Sequence, residues 1–416
     1  RFGAVAGCPF RLPHRYRPSE QHCLAQSMPQ RQQNPRFSAV VACDCGSPVY
    51  RGCYEEIVYI CKNQKFTAMK RFPTIILISA AIAAAALTIS CGGRGSGKNS
   101  ARQDSSLAED VAVVPDTIAP IVPGEVHLKN DAEAFGEELH LKGDTVLQDE
   151  IFKVGVSTMI LKDSLLLVCC EDDRPFRMYS LPDLELKGIS GNRGRGPMEF
   201  ISPDIWPYEG SGYIAMINEN FRDIQGLYKI RTDGVIEQIR HRIPSQYNAS
   251  SYTRGFAAVD DDHIVFAHSS AIYLYDGSDT AAAPGQTVRK LADVRLGKYS
   301  AGSTMNIGSL GVNFQYERAV WAYKYAKRVL FCDFDGNVRT VDFRSFEDGE
   351  AEGVGMDSNI THYWKLYAGQ RYVWLLYSGR TPADVMQEWE KGLYYIYVEQ
   401  FDWNGNPVRR YRLDNW

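Results

Sequence analysis

Helical periodicity is almost missing from this 416-residue chain. One short polar stretch, 382–391, has the spacing of a helix, and its position suggests an insertion in a loop. Helical bundles and alternating α/β folds are therefore excluded. Catalytic signatures are missing as well. No Gly-x-Ser-x-Gly elbow and no His-Glu-x-x-His helix follows residue 91. Cysteine is scarce where it would matter for folding. Six of the ten cysteines fall in residues 1–68, and no Cys-x-x-Cys pair occurs. Only Cys169, Cys170 and Cys332 remain beyond Cys91, which is too few for a disulfide framework. Adjacent Cys169 and Cys170 would face opposite ways on a strand, and all three are expected as buried small hydrophobes. Positive charge is also lacking. Residues 1–68 carry nine Lys/Arg against four Asp/Glu, so the rest of this −4 chain stands at −9. Such an acidic chain repels nucleic acid and anionic lipid, and neither is expected as a partner.

What is present begins with a leader. Met69-Lys70-Arg71 is followed by an apolar run, 72–89, and then by Ser90-Cys91-Gly92-Gly93. A basic head, an apolar middle and a small-residue exit make up a secretory signal. A run of ~18 residues is at the lower limit for crossing a bilayer, and the polar, Gly/Ser-rich stretch after it favours cleavage. Leu87-Thr88-Ile89-Ser90-Cys91 resembles the lipobox of bacterial lipoproteins. That resemblance implies a diacylglyceryl group on the Cys91 thiol, removal of 69–90 as signal peptide, and acylation of the new amino group. The protein is then expected to sit in the cell envelope, held to the outer membrane by lipid. Residues 1–68 lack sustained periodicity and are expected to be a disordered, non-native upstream extension, with Met69 as the true start. A cysteine-rich metal domain using Cys43, Cys45, Cys53 and Cys61 is the alternative, although no zinc-site spacing supports it. Residues 91–124, rich in Gly, Ser, Asn, Asp and Ala near their start, are read as the lipidated cysteine and a flexible tether.

From 125 to 416 the texture is all-β. Short runs of Val, Ile, Leu, Tyr and Phe recur at 164–170, 212–218, 263–267, 271–275, 328–334, 371–378 and 393–403. Asp233-Gly234, Asp276-Gly277, Asp335-Gly336 and Asn404-Gly405 punctuate them as hairpin turns. Hairpins return every ~40–60 residues, a period that suggests four-stranded propeller blades. A β-sandwich competes, but one of this size needs two domains, and no linker divides the chain. Five blades can be traced from 161 to 413. The stretch 126–156 is expected to supply a sixth, closed by pairing of N- and C-terminal strands, so that no edge is exposed.

The densest local motif is Gly191-Asn192-Arg193-Gly194-Arg195-Gly196-Pro197-Met198-Glu199-Phe200. A phosphate cradle would need a helix after it, which Gly196-Pro197 blocks. The segment resembles the Gly-Pro-x-Glu-Phe loop of TolB-like and NHL-like propellers, which links the outer strand of one blade to the inner strand of the next. Leu181-Pro182-Asp183-Leu184 and the ending 401–414 add a resemblance to six-bladed propeller lipoproteins of Bacteroidota-type bacteria. The loop occurs once here, whereas NHL propellers repeat it. The resemblance implies a fold and an address, with Gly191, Gly194, Gly196, Pro197, Glu199 and Phe200 shaping an inter-blade crossover.

Candidates for chemistry are few. Asp260-Asp261-Asp262-His263 with His268, Asn218-Glu219-Asn220, and Asp333 with Asp335 have metal-ligand chemistry but read as turn residues that bond their own backbone. His362, beside Tyr363-Trp364, reads as a core histidine rather than a base. Trp206, Tyr208, Trp364 and Tyr367 are candidates for stacking on a sugar or gripping a peptide. No metal and no cofactor is expected, a Ca²⁺ ion being the one considered. The resulting expectation is a monomeric, lipid-anchored module that binds a protein, peptide or glycan. The alternative is a lactonase-like propeller hydrolase with an axial divalent cation.

Overall fold

Central strands buried on both faces build the sheets, and the order of the sheets builds a propeller. The computed structural model describes residues 117–142, 158–219, 226–247, 253–297, 299–300, 303–343 and 359–414. Cys91 and the leader lie outside these residues. Among the described residues no helix is long and apolar enough to cross a membrane. Five antiparallel four-stranded sheets follow one another along the chain. The first holds β3 (Thr158–Lys162), β4 (Leu165–Cys169), β5 (Phe176–Ser180) and β6 (Leu186–Ser190). The second holds β7 (Pro203–Pro207), β8 (Tyr213–Glu219), β9 (Leu227–Arg231) and β10 (Ile236–Gln238). The third holds β11 (Thr253–Ala258), β12 (His263–His268), β13 (Ala271–Asp276) and β14 (Val288–Asp293). The fourth holds β15 (Gly308–Asn313), β16 (Arg318–Tyr323), β17 (Arg328–Asp333) and β18 (Val338–Phe343). The fifth holds β19 (Thr361–Ala368), β20 (Tyr372–Arg380), β21 (Tyr395–Asp402) and β22 (Pro407–Asp414).

The core lies between blades. On β4, Leu167 and Cys169 face the second blade, packing with Ile205, Ile217 and Tyr228. Their neighbours Leu166, Val168 and Cys170 face the other way. Val320, Phe331 and Val341 of the fourth blade meet Tyr363, Val373 and Phe401 of the fifth. Each fully buried side chain of this size contributes roughly 1.5–3 kcal/mol. Cys169, Cys170 and Cys332 are buried, and burial pushes the Cys332 thiol up to about 12. The third-to-fourth-strand turns of the fourth and fifth blades use Gly336 (φ 91) and Gly405 (φ 79), where a Cβ would be strained.

The described part of the stretch expected to form a sixth blade, 126–142, does something else. β1 (Gly124–Leu128) adds to the fourth blade as a fifth, outermost strand, parallel to β18. β2 (Leu139–Lys142) adds to the fifth blade in the same way, parallel to β22. Between them α1 (Asp131–Phe135), capped by Asn130, buries Phe135 against Phe343 and Phe401. N- and C-terminal strands do pair, but in parallel on the outside, so no blade is closed by them. A hairpin between β1 and β2 is impossible, because each is committed to a different blade. Contacts with the core begin before the expected boundary at 125: Ile121 is buried, and Ile118 packs beside it. The helix expected at 382–391 is α2 (Pro382–Glu390), inserted between β20 and β21. Thr381 and Asp384 cap it reciprocally.

Candidate functional site

Antiparallel order puts two kinds of connection on one face of the ring: the crossovers between blades and the turns between second and third strands. The motif loop is the first crossover, from β6 to β7. Phe200 is 1% exposed and stands between blades, edge-on to Phe176 of β5 (5.2 Å) and to Tyr228 of β9 (5.3 Å). Glu199 turns back into its own loop, accepting from the Gly196 backbone N–H at 2.7 Å. That carboxylate explains the glycines. A Cβ on Gly194 would lie 2.0 Å from Glu199 Oε2, and one on Gly196 3.0 Å from it. Of the motif glycines, only Gly191 (φ 75) needs the left-handed region. The Pro197 carbonyl accepts from the Tyr228 hydroxyl at 3.2 Å. Glu219, 1% exposed at the end of β8, receives the backbone N–H of Ile201 (2.7 Å) and of Ser202.

The other sequence candidates are dispersed. Asp260 Oδ1 caps its own turn by accepting from the backbone N–H of Asp262 and of His263, and it also contacts the His263 ring. Asp261 pairs with Lys229 (2.8 Å) and accepts from the Tyr208 hydroxyl (2.8 Å). Asp333 accepts from the backbone N–H of Asn337 in a tight turn. His268 is buried against Tyr247, and burial lowers its pKa. Trp206 and Tyr208 pack between the second and third blades, and Trp364 and Tyr367 pack on the fifth. The structure does not bring these aromatic residues together into one strip.

One cluster escaped sequence reading. Lys327 (side chain 2% exposed) and Glu399 (0%) meet at 3.5 Å in the wedge between the fourth and fifth blades. Asp131 of α1 pairs with both Lys327 and Arg410. The Lys327 ammonium stands over the rings of Phe343 (4.2 Å) and Tyr377 (4.3 Å), and the Arg410 guanidinium over Tyr397 (3.8 Å). Tyr363 donates its hydroxyl to Glu399 at 2.9 Å. Burial raises the Glu399 pKa, with Lys327 and Arg410 opposing it. Burial also acts to raise Asp131, yet Lys327 and Arg410 outweigh it and hold that carboxyl below its usual range. His362 stacks on Tyr377, and burial, aided by the Lys327 charge, lowers it to about 3. His362 is thus a neutral core group at ordinary pH. Glu138 also reaches Arg410 at 3.5 Å, so two cations face three carboxylates and the cluster acts as a clasp. Its members come from five separate elements, and the only local hint was a charge inside otherwise apolar strands.

Four exposed apolar side chains rise from the crossover face. Met198 (41%) and Ile360 (36%) sit in crossovers, while Met386 (44%) and Leu393 (48%) belong to the α2 insertion.

Residues 321–416 match the model of a family described as TolB-like 6-blade propeller-like. The match spans most of the fourth blade and all of the fifth, while the described residues form five blades and not six. No curated protein matches the chain. Solved structures resemble it at low identity. A Bacteroides fragilis protein described as exported is 11% identical, with TM-score 0.40, over 70% of this chain and 80% of its own. A DUF4221-family protein from Bacteroides vulgatus is 12% identical, with TM-score 0.37, over 63% and 82%. The calcium-binding protein regucalcin from Agrobacterium tumefaciens is 12% identical, with TM-score 0.35, over 66% and 80%. Likenesses of this size carry no functional conclusion.

Proposed function

We propose that this chain is a lipid-anchored propeller of the cell envelope that binds a protein, peptide or glycan on its crossover face. The signal-like segment 69–90 and Cys91 support the address, and lipid on Cys91 would hold the acidic propeller at the membrane. The observation that carries the binding role is that Met198, Ile360, Met386 and Leu393, all exposed, sit on connections of one face. Exposed apolar side chains on loops held by a rigid scaffold are typical of recognition surfaces. The strongest charge cluster, by contrast, is internally paired in the wedge between blades, which favours binding over hydrolysis. The test places a photo-crosslinking residue at Leu393 on the crossover face and at Val235 in a turn on the opposite face. Envelope components or glycans should cross-link through position 393 and not through 235. Equal labelling at both positions, or cation-dependent lactone hydrolysis by the chain, would overturn the reading.

A further inference from the structure

The two outer strands carry nearly the same five residues. Glu125-Val126-His127-Leu128-Lys129 covers all of β1 but its first residue, and Glu138-Leu139-His140-Leu141-Lys142 contains β2. Glutamate and histidine two residues apart lie on one face of a strand. In β1 the register sets His127 directly opposite Asp342 of β18, whose own antiparallel partner is Arg328 of β17. His127 Nε2 lies 3.8 Å from Glu125 Oε2, and Nδ1 lies 3.8 Å from Asp342 Oδ2. Arg328 engages the other oxygen of each carboxylate, Glu125 Oε1 at 3.1 Å and Asp342 Oδ1 at 3.2 Å. It therefore turns Oε2 and Oδ2 toward the imidazole, as an outer-shell group orients metal ligands. Among the described residues this is the group whose His and carboxylate donor atoms all lie within 4.8 Å of one another.

We propose that Glu125, His127 and Asp342 form a site for one Zn²⁺ ion that clasps β1 to the outer edge of the fourth blade. Three donors of mixed nitrogen and oxygen type suit Zn²⁺, which leaves its fourth position to water. Ca²⁺ takes six to eight oxygens and is poorly served by an imidazole. Asp342 is 5% exposed, with Oδ1 held by Arg328 and Oδ2 facing the His127 ring. Two carboxylates against one guanidinium leave the site one negative charge. Glu125 and His127 are largely exposed, so an ion can enter from solvent. The second copy of the motif is a natural control. There Asp414 is more exposed, His140 Nδ1 is already hydrogen-bonded to it at 3.2 Å, and Arg412 holds its other oxygen at 2.8 Å.

The experiment is hydrogen exchange by mass spectrometry on the full chain in detergent, read on the peptide covering 124–128. Zn²⁺ at ~10 times its dissociation constant should slow exchange there by about tenfold, and Ca²⁺ and Mg²⁺ should not. His127→Ala should lose the Zn²⁺ effect, and His140→Ala should keep it. If His127→Ala loosens β1 without metal, Glu125→Gln supplies the same reading from an exposed position. No Zn²⁺ protection, equal protection by Ca²⁺, or protection that survives both site variants would overturn the proposal.

Discussion

Lys327 and Glu399, almost wholly buried, face each other at 3.5 Å across the boundary between the fourth and fifth blades. Their attraction is strengthened by a low-dielectric wedge and shared with Asp131 and Arg410. The pair therefore couples three parts of the chain: the turn before β17, the strand β21 and the N-terminal helix α1.

Removing one partner leaves the other charged and buried. Lys327→Met should destabilise the fold by about 3–5 kcal/mol. Replacing both, Lys327→Met with Glu399→Leu, should recover much of that loss. Urea midpoints of the two variants check this. Additive losses would show that the two groups do not act as a pair.

His362 gives a pH dependence of defined sign. Its folded value of about 3 lies below the ordinary 6.5. Between these values the unfolded chain binds a proton that the folded chain does not. The His362 contribution to stability is complete above pH 6.5 and falls as pH drops toward 3, by up to ~1.4 kcal/mol per pH unit. Stability measured at pH 7 and pH 5 should fall less in His362→Phe than in the parent. Equal slopes would sink the assignment.

Phe200→Ala should cost about 3–5 kcal/mol, because the ring fills the space between Phe176 and Tyr228. Gly194→Ala should also destabilise, by forcing out Glu199. Combined with Glu199→Ala, it should cost less than the sum of the two single changes. Arg195→Ala, at a side chain in the same loop with no role in this packing, should change stability by under ~0.5 kcal/mol. Thermal unfolding of the set gives the ranking.

On the proposed lipid anchor, Cys91→Ala should release the protein into the soluble fraction, because the acyl chains would have no thiol to occupy. Fractionation of cells expressing each form reads the outcome. A variant that stays in the membrane would make the apolar run 72–89 the anchor.

Much of this architecture was legible locally. Short runs of Val, Ile, Leu, Tyr and Phe bounded by Asp-Gly or Asn-Gly turns marked strands and hairpins, because such residues suit a pleated surface and such turns tolerate positive φ. The polar stretch after Thr381 marked α2, because Thr-x-x-Asp and an early proline satisfy the first helical turn. The Gly-Pro-x-Glu-Phe segment marked a crossover, because proline forbids the helix that a phosphate loop requires. Tertiary structure decided the rest. Alternation says nothing about which strand lies alongside, so β1 and β2 read as material for a sixth blade. Register then placed them as parallel outer strands on the fourth and fifth blades. The Lys327 clasp and the Glu125–His127–Asp342 group depend on that same register. Their members are far apart in the chain, and only folding brings their charges within a few ångströms, where each one's electrostatics depends on the others.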